Sequence, residues 1–209
     1  MFAVKNLSYK YSLQPVLNGL SFDVARSENL AVIGKSGVGK TTLLHLMAGL
    51  LKAQSGEIIF ENTDIATLTE PQLDRFRANN IGFIFQQFHL IQSLTALENV
   101  MLAAIFSGKD ITRETVQEIF GRLDIAGCIN KKPSQLSIGQ KQRVAIARAL
   151  ANQPKIIFAD EPTSNLDDEN AENTINLLLE YATESAASLV VVTHDSRIKD
   201  KFVNILELK

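Results

Sequence analysis

Three stretches of the chain are apolar without a break: Leu30-Ala31-Val32-Ile33, Ile156-Ile157-Phe158-Ala159 and Leu189-Val190-Val191-Val192. A strand with one wet face alternates, whereas a strand covered on both faces does not. The pattern therefore predicts a largely parallel sheet with layers packed on either side. Each run passes through a Gly-rich or polar turn into residues at helical spacing, and in one of these Ala171, Ile175, Leu178 and Ala182 share a face. The first 30 residues and the segment from Gly56 to Ile65 read differently. LSYKYS, VLNGLSFDV and GEIIFENTDI are short strands, with turns expected at Asn18-Gly19 and Glu61-Asn62. They predict an antiparallel β subdomain beside the parallel core. From about Gln87 to Gln135 strand signals vanish, and two helical stretches follow, around Ala96 to Phe106 and Arg113 to Leu123. The organisation expected is α/β with crossover helices. One domain spans 1–209: residues 1–86 and 136–209 form the core with its β subdomain, and 87–135 an inserted helical subdomain. No internal repeat or low-complexity linker suggests a tandem arrangement.

Composition narrows the class. The 209 residues carry 21 Lys+Arg against 23 Asp+Glu, a formal charge of −2. That balance leaves no electrostatic footprint for a polyanion, so no nucleic acid is expected as a partner. A lone Cys128 and three scattered histidines give neither an internal disulfide nor zinc-ligand spacing, which points to a reducing compartment. The N-terminus MFAVKNLSYKYSLQ lacks the apolar stretch of a secretory signal. No segment approaches the ~18 to 20 apolar residues that span a bilayer; the longest near-apolar run, Leu43 to Leu51, is broken by His45. Any membrane role is expected to come through another chain.

The chemistry begins directly after the first buried strand. Gly34-Lys35-Ser36-Gly37-Val38-Gly39-Lys40-Thr41 is Gly, four residues, Gly, Lys and Ser/Thr, the phosphate-loop pattern, and it runs into the helical stretch Thr42 to Leu50. Glycines let backbone N–H groups turn inward around a β-phosphate, the helix N-terminus adds its positive end, and Lys40 supplies a mobile charge. Thr41 would ligate Mg²⁺. The second apolar run ends in Asp160-Glu161. At the end of a neighbouring strand Asp160 can hold Mg²⁺ through water, and Glu161 can orient or deprotonate an attacking water.

Leu136-Ser137-Ile138-Gly139-Gln140 is the distinguishing segment. Ser-x-x-Gln is a capping box, which starts the helix ending near Ala151. A capped helix N-terminus is also an anion site, and it cannot cradle phosphates already held by Lys40 of the same chain. It suits a nucleotide bound by another subunit.

With GKSGVGKTT, the signature LSIGQ, IIFADEP, Ser164-Asn165-Leu166-Asp167 and Thr193-His194-Asp195 in this order, essentially the whole chain resembles the nucleotide-binding domains of ATP-binding cassette transporters. The resemblance implies the P-loop NTPase fold, ATP hydrolysis with Mg²⁺, and a head-to-tail homodimer holding two ATP. Gly34 through Thr42 would then bind ATP, with Ser137, Gly139 and Gln140 facing it from the other chain. Asp167 would link the two sites, Glu161 would act as general base, and His194 would contact the γ-phosphate. Gln86 matches the glutamine that ligates Mg²⁺ beside Thr41 and Asp160, with Gln87 as the neighbouring register. Tyr11 matches the aromatic that stacks on adenine, with Tyr9 as its competitor on the same strand face. His45 and His89 match no family position and read as structural.

Two positions depart from the family's pattern. Ile138 replaces a glycine and would be strained if that position needs positive φ, and Ser164 stands where relatives carry glycine. The phrases Ser93-Leu94-Thr95-Ala96-Leu97-Glu98-Asn99-Val100 and Ala159-Asp160-Glu161-Pro162-Thr163 look most like the macrolide-exporter and lipoprotein-release group. That likeness implies a separate integral membrane subunit, a place on the cytoplasmic face of the inner or plasma membrane, and export or mechanotransmission. An importer ATPase or a regulator of envelope machinery is the alternative within the family. A soluble cassette acting on chromosomes or ribosomes is disfavoured by the single phosphate loop and the missing heptads. A small-molecule kinase would leave the signature helix, Asp167 and His194 without a task. The apolar string Phe88, Leu90 and Ile91 is the expected wall of a groove for a membrane-subunit helix.

Overall fold

The chain is described by a computed structural model over residues 2–109, 111–164 and 166–209. Asn165, within one of the motifs above, lies outside the described residues. Two sheets form. The first is antiparallel, with β1 (Phe2–Tyr11), β2 (Gln14–Val24), β4 (Ser55–Phe60) and β5 (Thr63–Asp64) in the order β2-β1-β4-β5. The second contains β3 (Asn29–Ile33), β6 (Ile81–Ile84), β7 (Ile156–Asp160), β8 (Ser188–Thr193) and β9 (Asn204–Glu207) in the order β6-β7-β8-β3-β9, every pair parallel.

The unbroken apolar runs are explained by the layers on each side of this parallel sheet. Leu30, Val32, Ile156, Phe158, Val190 and Val192 face a core shared with the antiparallel sheet and α1 (Lys40–Met47). Ala31, Ile157, Ala159, Leu189 and Val191 face the opposite core, shared with α3 (Ala96–Ser107), α4 (Arg113–Arg122), α5 (Ile138–Leu150) and α6 (Asp168–Glu184). The expected stripe of α6, Ala171, Ile175, Leu178 and Ala182, is buried. Both stretches expected to be helical between 87 and 135 are helices. No helix among the described residues is long and apolar enough to cross a membrane.

Three local readings are corrected. Asn18-Gly19 is not a turn but a bulge inside β2: between the pairs Leu7↔Leu20 and Tyr9↔Leu17, β1 advances by two residues while β2 advances by three. The hairpin turn lies instead at Ser12-Leu13. Helix α2 (Glu70–Asn80), absent from the periodicity reading, rests on the core through only two half-buried apolar residues, Leu73 and Phe76; its clearer signal is the start, where Gln72 Oε1 accepts the Thr69 N–H at 2.9 Å. Edge strand β9 alternates between half-buried and exposed positions, and was hidden in a polar C-terminal segment.

Two close approaches hold the sheet to its helices. Gly82 of β6 lies against α5, and a Cβ there would stand 2.5 Å from the carbonyl oxygen of Ala149. His45 of α1 sits 5.6 Å from the Phe83 ring and 6.4 Å from the Phe85 ring. Its burial lowers the imidazole pKa below the ordinary 6.5, against a smaller opposing pull from Asp160.

Gly82→Ala is expected to destabilise the chain by about 1–3 kcal/mol through overpacking, read from the urea midpoint at constant slope; an unchanged midpoint would show that α5 yields freely. For His45 the folded chain favours neutral imidazole. Its contribution to stability is therefore intact above about pH 6.5 and lost as pH falls through the depressed folded value. His45→Phe keeps a ring against Phe83 and removes the titration, so its melting temperature should fall less than wild type between about pH 7 and about pH 5.5. Equal losses in the two proteins would assign the acid limb to other groups.

Candidate nucleotide site

Parallel register brings the motifs to one edge. Ile33 pairs with Thr193, and Asp160 with Val192. The loop after β3, the acidic pair at the end of β7 and the histidine after β8 therefore emerge at the same level. A cavity of about 400 Å³ opens there. Ser36, Gly37, Gly39, Lys40, Thr41 and Thr42 line it together with Tyr11, Gln86, Glu161 and His194.

The loop is built around its glycines. Gly39 immediately precedes α1 with φ 103, and a Cβ on it would meet Val16 Cγ1 at 2.6 Å. Lys40, the first residue of α1, is 7% exposed. Its ammonium donates to the carbonyls of Gly34 at 2.9 Å and Lys35 at 3.1 Å and stands 3.9 Å from Glu161 Oε1. Gly34, Lys35 and Val38 shape this loop from outside the cavity lining: the first two give Lys40 its carbonyls, and Val38 packs inward on the core.

Thr41 Oγ1 donates to Asp160 Oδ1 at 3.0 Å, which brings a hydroxyl and a buried carboxyl together beneath the loop. Burial pushes the Asp160 pKa above the ordinary 3.8, with the Thr41 hydrogen bond, His45 and Lys40 opposing. A cation between Thr41 and Asp160 would relieve that desolvation, so the donor set suits Mg²⁺, a hard ion that takes oxygen ligands.

Glu161 occupies the left-handed region at φ 48, unusual for a non-glycine residue, and is 9% exposed. Its Oε1 lies 2.8 Å from His194 Nδ1, and its Oε2 accepts from Thr193 Oγ1 at 3.2 Å and from the His194 N–H at 3.4 Å. The acid is thereby held at the mouth of the cavity with one side chain facing solvent beside it, since His194 is exposed.

The two pairs of competing residues differ in position. Gln86, and not Gln87, borders the cavity. Tyr11 borders it and is 49% exposed, whereas Tyr9 packs half-buried on the core, its ring 5.0 Å from that of Tyr11.

The remaining predicted residues stand apart from this cavity. Ser137 Oγ accepts the Gln140 N–H at 3.2 Å and Gln140 Oε1 accepts the Ser137 N–H at 3.0 Å, the capping box expected for α5. Gly139 lies in its first turn. Ile138 is the first residue of α5 and is absent from the positive-φ positions, so the anticipated strain does not arise. Asp167 caps α6, its Oδ1 accepting from the Asn170 N–H at 2.9 Å. Ser164 is exposed, its N–H donating to the Glu161 carbonyl at 3.2 Å, and nothing in the structure explains its departure from glycine.

Of the apolar string, Leu90 is buried and Phe88 packs against the core, leaving Ile91 at the surface. The apolar trough lies nearby instead, about 540 Å³ between α2, β6, α3 and α5, walled by Ile81, Phe83, Phe85, Ala103 and Ala149 with Arg75 and Arg148 in its lining. Motif reading passed over Gln14 and Val16 in the cavity wall and Gln142 behind it, and gave no role to Thr193, Thr163 and Asp195, which lie within its motifs. For Gln142 the signal was available: it shares a helical face with Ile146 and Leu150, where a polar residue needs a buried partner.

Comparison with known proteins extends these observations over the whole chain. The ABC transporter family model matches residues 17–164. An uncharacterised ABC transporter ATP-binding protein of Mycobacterium tuberculosis is 42% identical over 207 residues, covering 98% of this chain; the chain spans 62% of that relative's length. The lipoprotein-releasing system ATP-binding protein LolD of Xanthomonas campestris pv. campestris is 40% identical over 196 residues, covering 93% of this chain and 82% of LolD. Among solved structures, the dimeric ATP-binding cassette MJ0796 bound to ADP and Pi superposes with a TM-score of 0.92 at 38% identity, covering 100% of this chain and 94% of that one. A phosphate loop facing an acidic strand end occurs in many nucleotide-binding folds, so the assignment rests on similarity that runs from end to end: the chain belongs to the ABC transporter family.

Proposed function

We propose that the chain is the ATP-binding and ATP-hydrolysing subunit of a transporter, closing head to tail on a second copy around two ATP to drive a separate membrane subunit. The observation that carries this reading is the convergence of Lys40, Thr41 over Asp160, and Glu161 beside His194 in one cavity. Arriving phosphate oxygens replace the two loop carbonyls around the Lys40 ammonium and draw it from Glu161. Tyr11 offers its ring to the base. Thr41, Gln86 and Asp160 would hold Mg²⁺, which would supply positive charge to the phosphate oxygens. Glu161 accepts a proton from the attacking water as that water's oxygen bonds to the γ-phosphorus and the bond to the ADP oxygen breaks. His194 keeps the carboxyl aimed and contacts the γ-phosphate.

The N-terminus of α5, with Ser137, Gly139 and Gln140, meets the nucleotide of the second copy, and Asp167 links the two sites. The membrane subunit docks a helix in the trough beside Phe83 and Phe85, on the cytoplasmic face of the membrane. Similarity to the lipoprotein-releasing LolD supports export or mechanotransmission as the work done.

Glu161→Gln is expected to retain ATP, to lower kcat by about 10²–10⁴-fold, and to accumulate as a closed dimer on size exclusion; hydrolysis at the wild-type rate would remove Glu161 from the role of base. Lys40→Ala should weaken ATP binding by roughly tenfold to hundredfold, the range for a hydrogen bond to a charged group, measured with a fluorescent nucleotide. Tagged Glu161→Gln protein, trapped with ATP and purified from detergent-solubilised host membranes, should retain an integral membrane chain with a large extracytoplasmic domain. Recovery of soluble chains alone would overturn the transporter reading.

A further inference from the structure

We propose that Gln142 is a positioning residue that couples the N-terminus of α5 to Glu161 of the same chain, so that engagement of the signature by a second copy and alignment of the base become one event. The proposal rests on the dimer reading above and adds to it a connection within one chain. Gln142 follows the capping box by less than a turn, about 6 Å along the axis from Ile138. It is 4% exposed, on a helix whose other buried members include Val144, Ala145 and Ile146. A carboxamide in such a place costs free energy unless it is bonded. Its Nε2 donates to the backbone carbonyl of Pro162, the residue after Glu161.

The loop that receives this bond is held from its other side as well. Thr163, fully buried, donates from Oγ1 to Asp195 Oδ2 at 3.0 Å, and Thr193 Oγ1 reaches Glu161 Oε2 at 3.2 Å. Glu161 thus sits in a short segment, in the left-handed backbone region, clamped between the loop after β8 and the signature helix. A displacement of α5 cannot be absorbed at Pro162 without moving the carboxyl next to it. Coupling between two sites requires an element with two arrangements that both sites bias. Helix α5 with the loop from Glu161 to Ser164 is that element, open without nucleotide and closed when the second copy's ATP meets Ser137 and Gly139.

The test compares wild type with Gln142→Met, which keeps side-chain length and removes the donor, and Gln142→Glu, which keeps size and polarity but offers only acceptors when ionised. Three quantities are read on each: nucleotide affinity of the monomer at low protein concentration, kcat per folded molecule, and the Hill coefficient for ATP in hydrolysis. Both variants should bind nucleotide as wild type does, hydrolyse it roughly tenfold more slowly, the effect of one hydrogen bond, and lose cooperativity toward a coefficient of one. A merely structural role would lower the melting temperature and leave kcat per folded molecule and the Hill coefficient unchanged, and that result overturns the coupling. Should Gln142→Met fail to fold, Gln142→Glu carries the same expectation. A wild-type chain that forms no ATP-dependent dimer removes the proposed function itself; one that dimerises yet hydrolyses without cooperativity removes only the coupling.

Discussion

The parallel register of β3, β7 and β8 is the constraint on which everything else in this chain depends. Because Ile33 stands beside Thr193 and Asp160 beside Val192, three loops leave the sheet at one height. Alternation along β7 then decides direction. Phe158 faces the core beneath α1, and Asp160, two residues on, points the same way and meets Thr41 on α1. A slip of one residue would turn Asp160 toward the helical layer and bury Ala159's small side chain beside the phosphate loop. The apolar residues of these strands thus do more than fill a core, since their two-sided burial is what fixes the register and hence the distance between a cation and its carboxylates.

Those charges are costly to bury, and the way each is satisfied explains why the site holds together before any nucleotide arrives. Lys40 is 7% exposed but has two loop carbonyls and Glu161 around its ammonium. Glu161 has a histidine, a threonine and a backbone N–H. Asp160 has one hydroxyl, and it is the group whose carboxyl burial shifts upward. The partners around Lys40 and Asp160 are of the kind that a phosphate oxygen or a divalent ion replaces at little loss, because a neutral carbonyl or hydroxyl bond to a charge is weaker than a charged one. The site is therefore satisfied enough to fold and poor enough in charged partners to bind.

Much of this was legible because the informative residues have few alternatives. A fully apolar run of four residues and a glycine loop ending in Lys-Thr each admit little besides the arrangement found, and an acidic pair at a strand end, ambiguous alone, gains its reading from that loop. What escaped the sequence lacked such restriction. Helix α2 meets the core through Leu73 and Phe76 alone, too few apolar positions to generate a period, and β9 pairs through its backbone with Leu30 to Ile33 while its side chains alternate into solvent. Asn18-Gly19 is the dipeptide of a tight turn, yet the same left-handed preference serves a bulge, and the Gly19 N–H is taken by Ser8 Oγ at 2.8 Å within the sheet. Tertiary pairing, absent from any local window, chose between the two. The competing tyrosines and glutamines show the same limit: spacing brought Tyr9 and Tyr11, or Gln86 and Gln87, equally near, and only the path of the backbone separated them.

The cavity's exposure supplies a physical reason for a second copy. Hydrolysis of a phosphoanhydride gains from electrostatic stabilisation in a site closed to bulk water. Here Tyr11 is 49% exposed and His194 also faces solvent, while the capped N-terminus of α5 stands apart from the cavity lining. Lys40 and Glu161 are themselves buried, but where Tyr11 and His194 border the cavity it is open to solvent among the described residues. A surface that closed the cavity while presenting N–H donors to the γ-phosphate would both exclude water and add the missing positive field. In the dimer proposed above, the N-terminus of α5 would supply that surface, each of two chains related by a twofold axis giving it to the other at once.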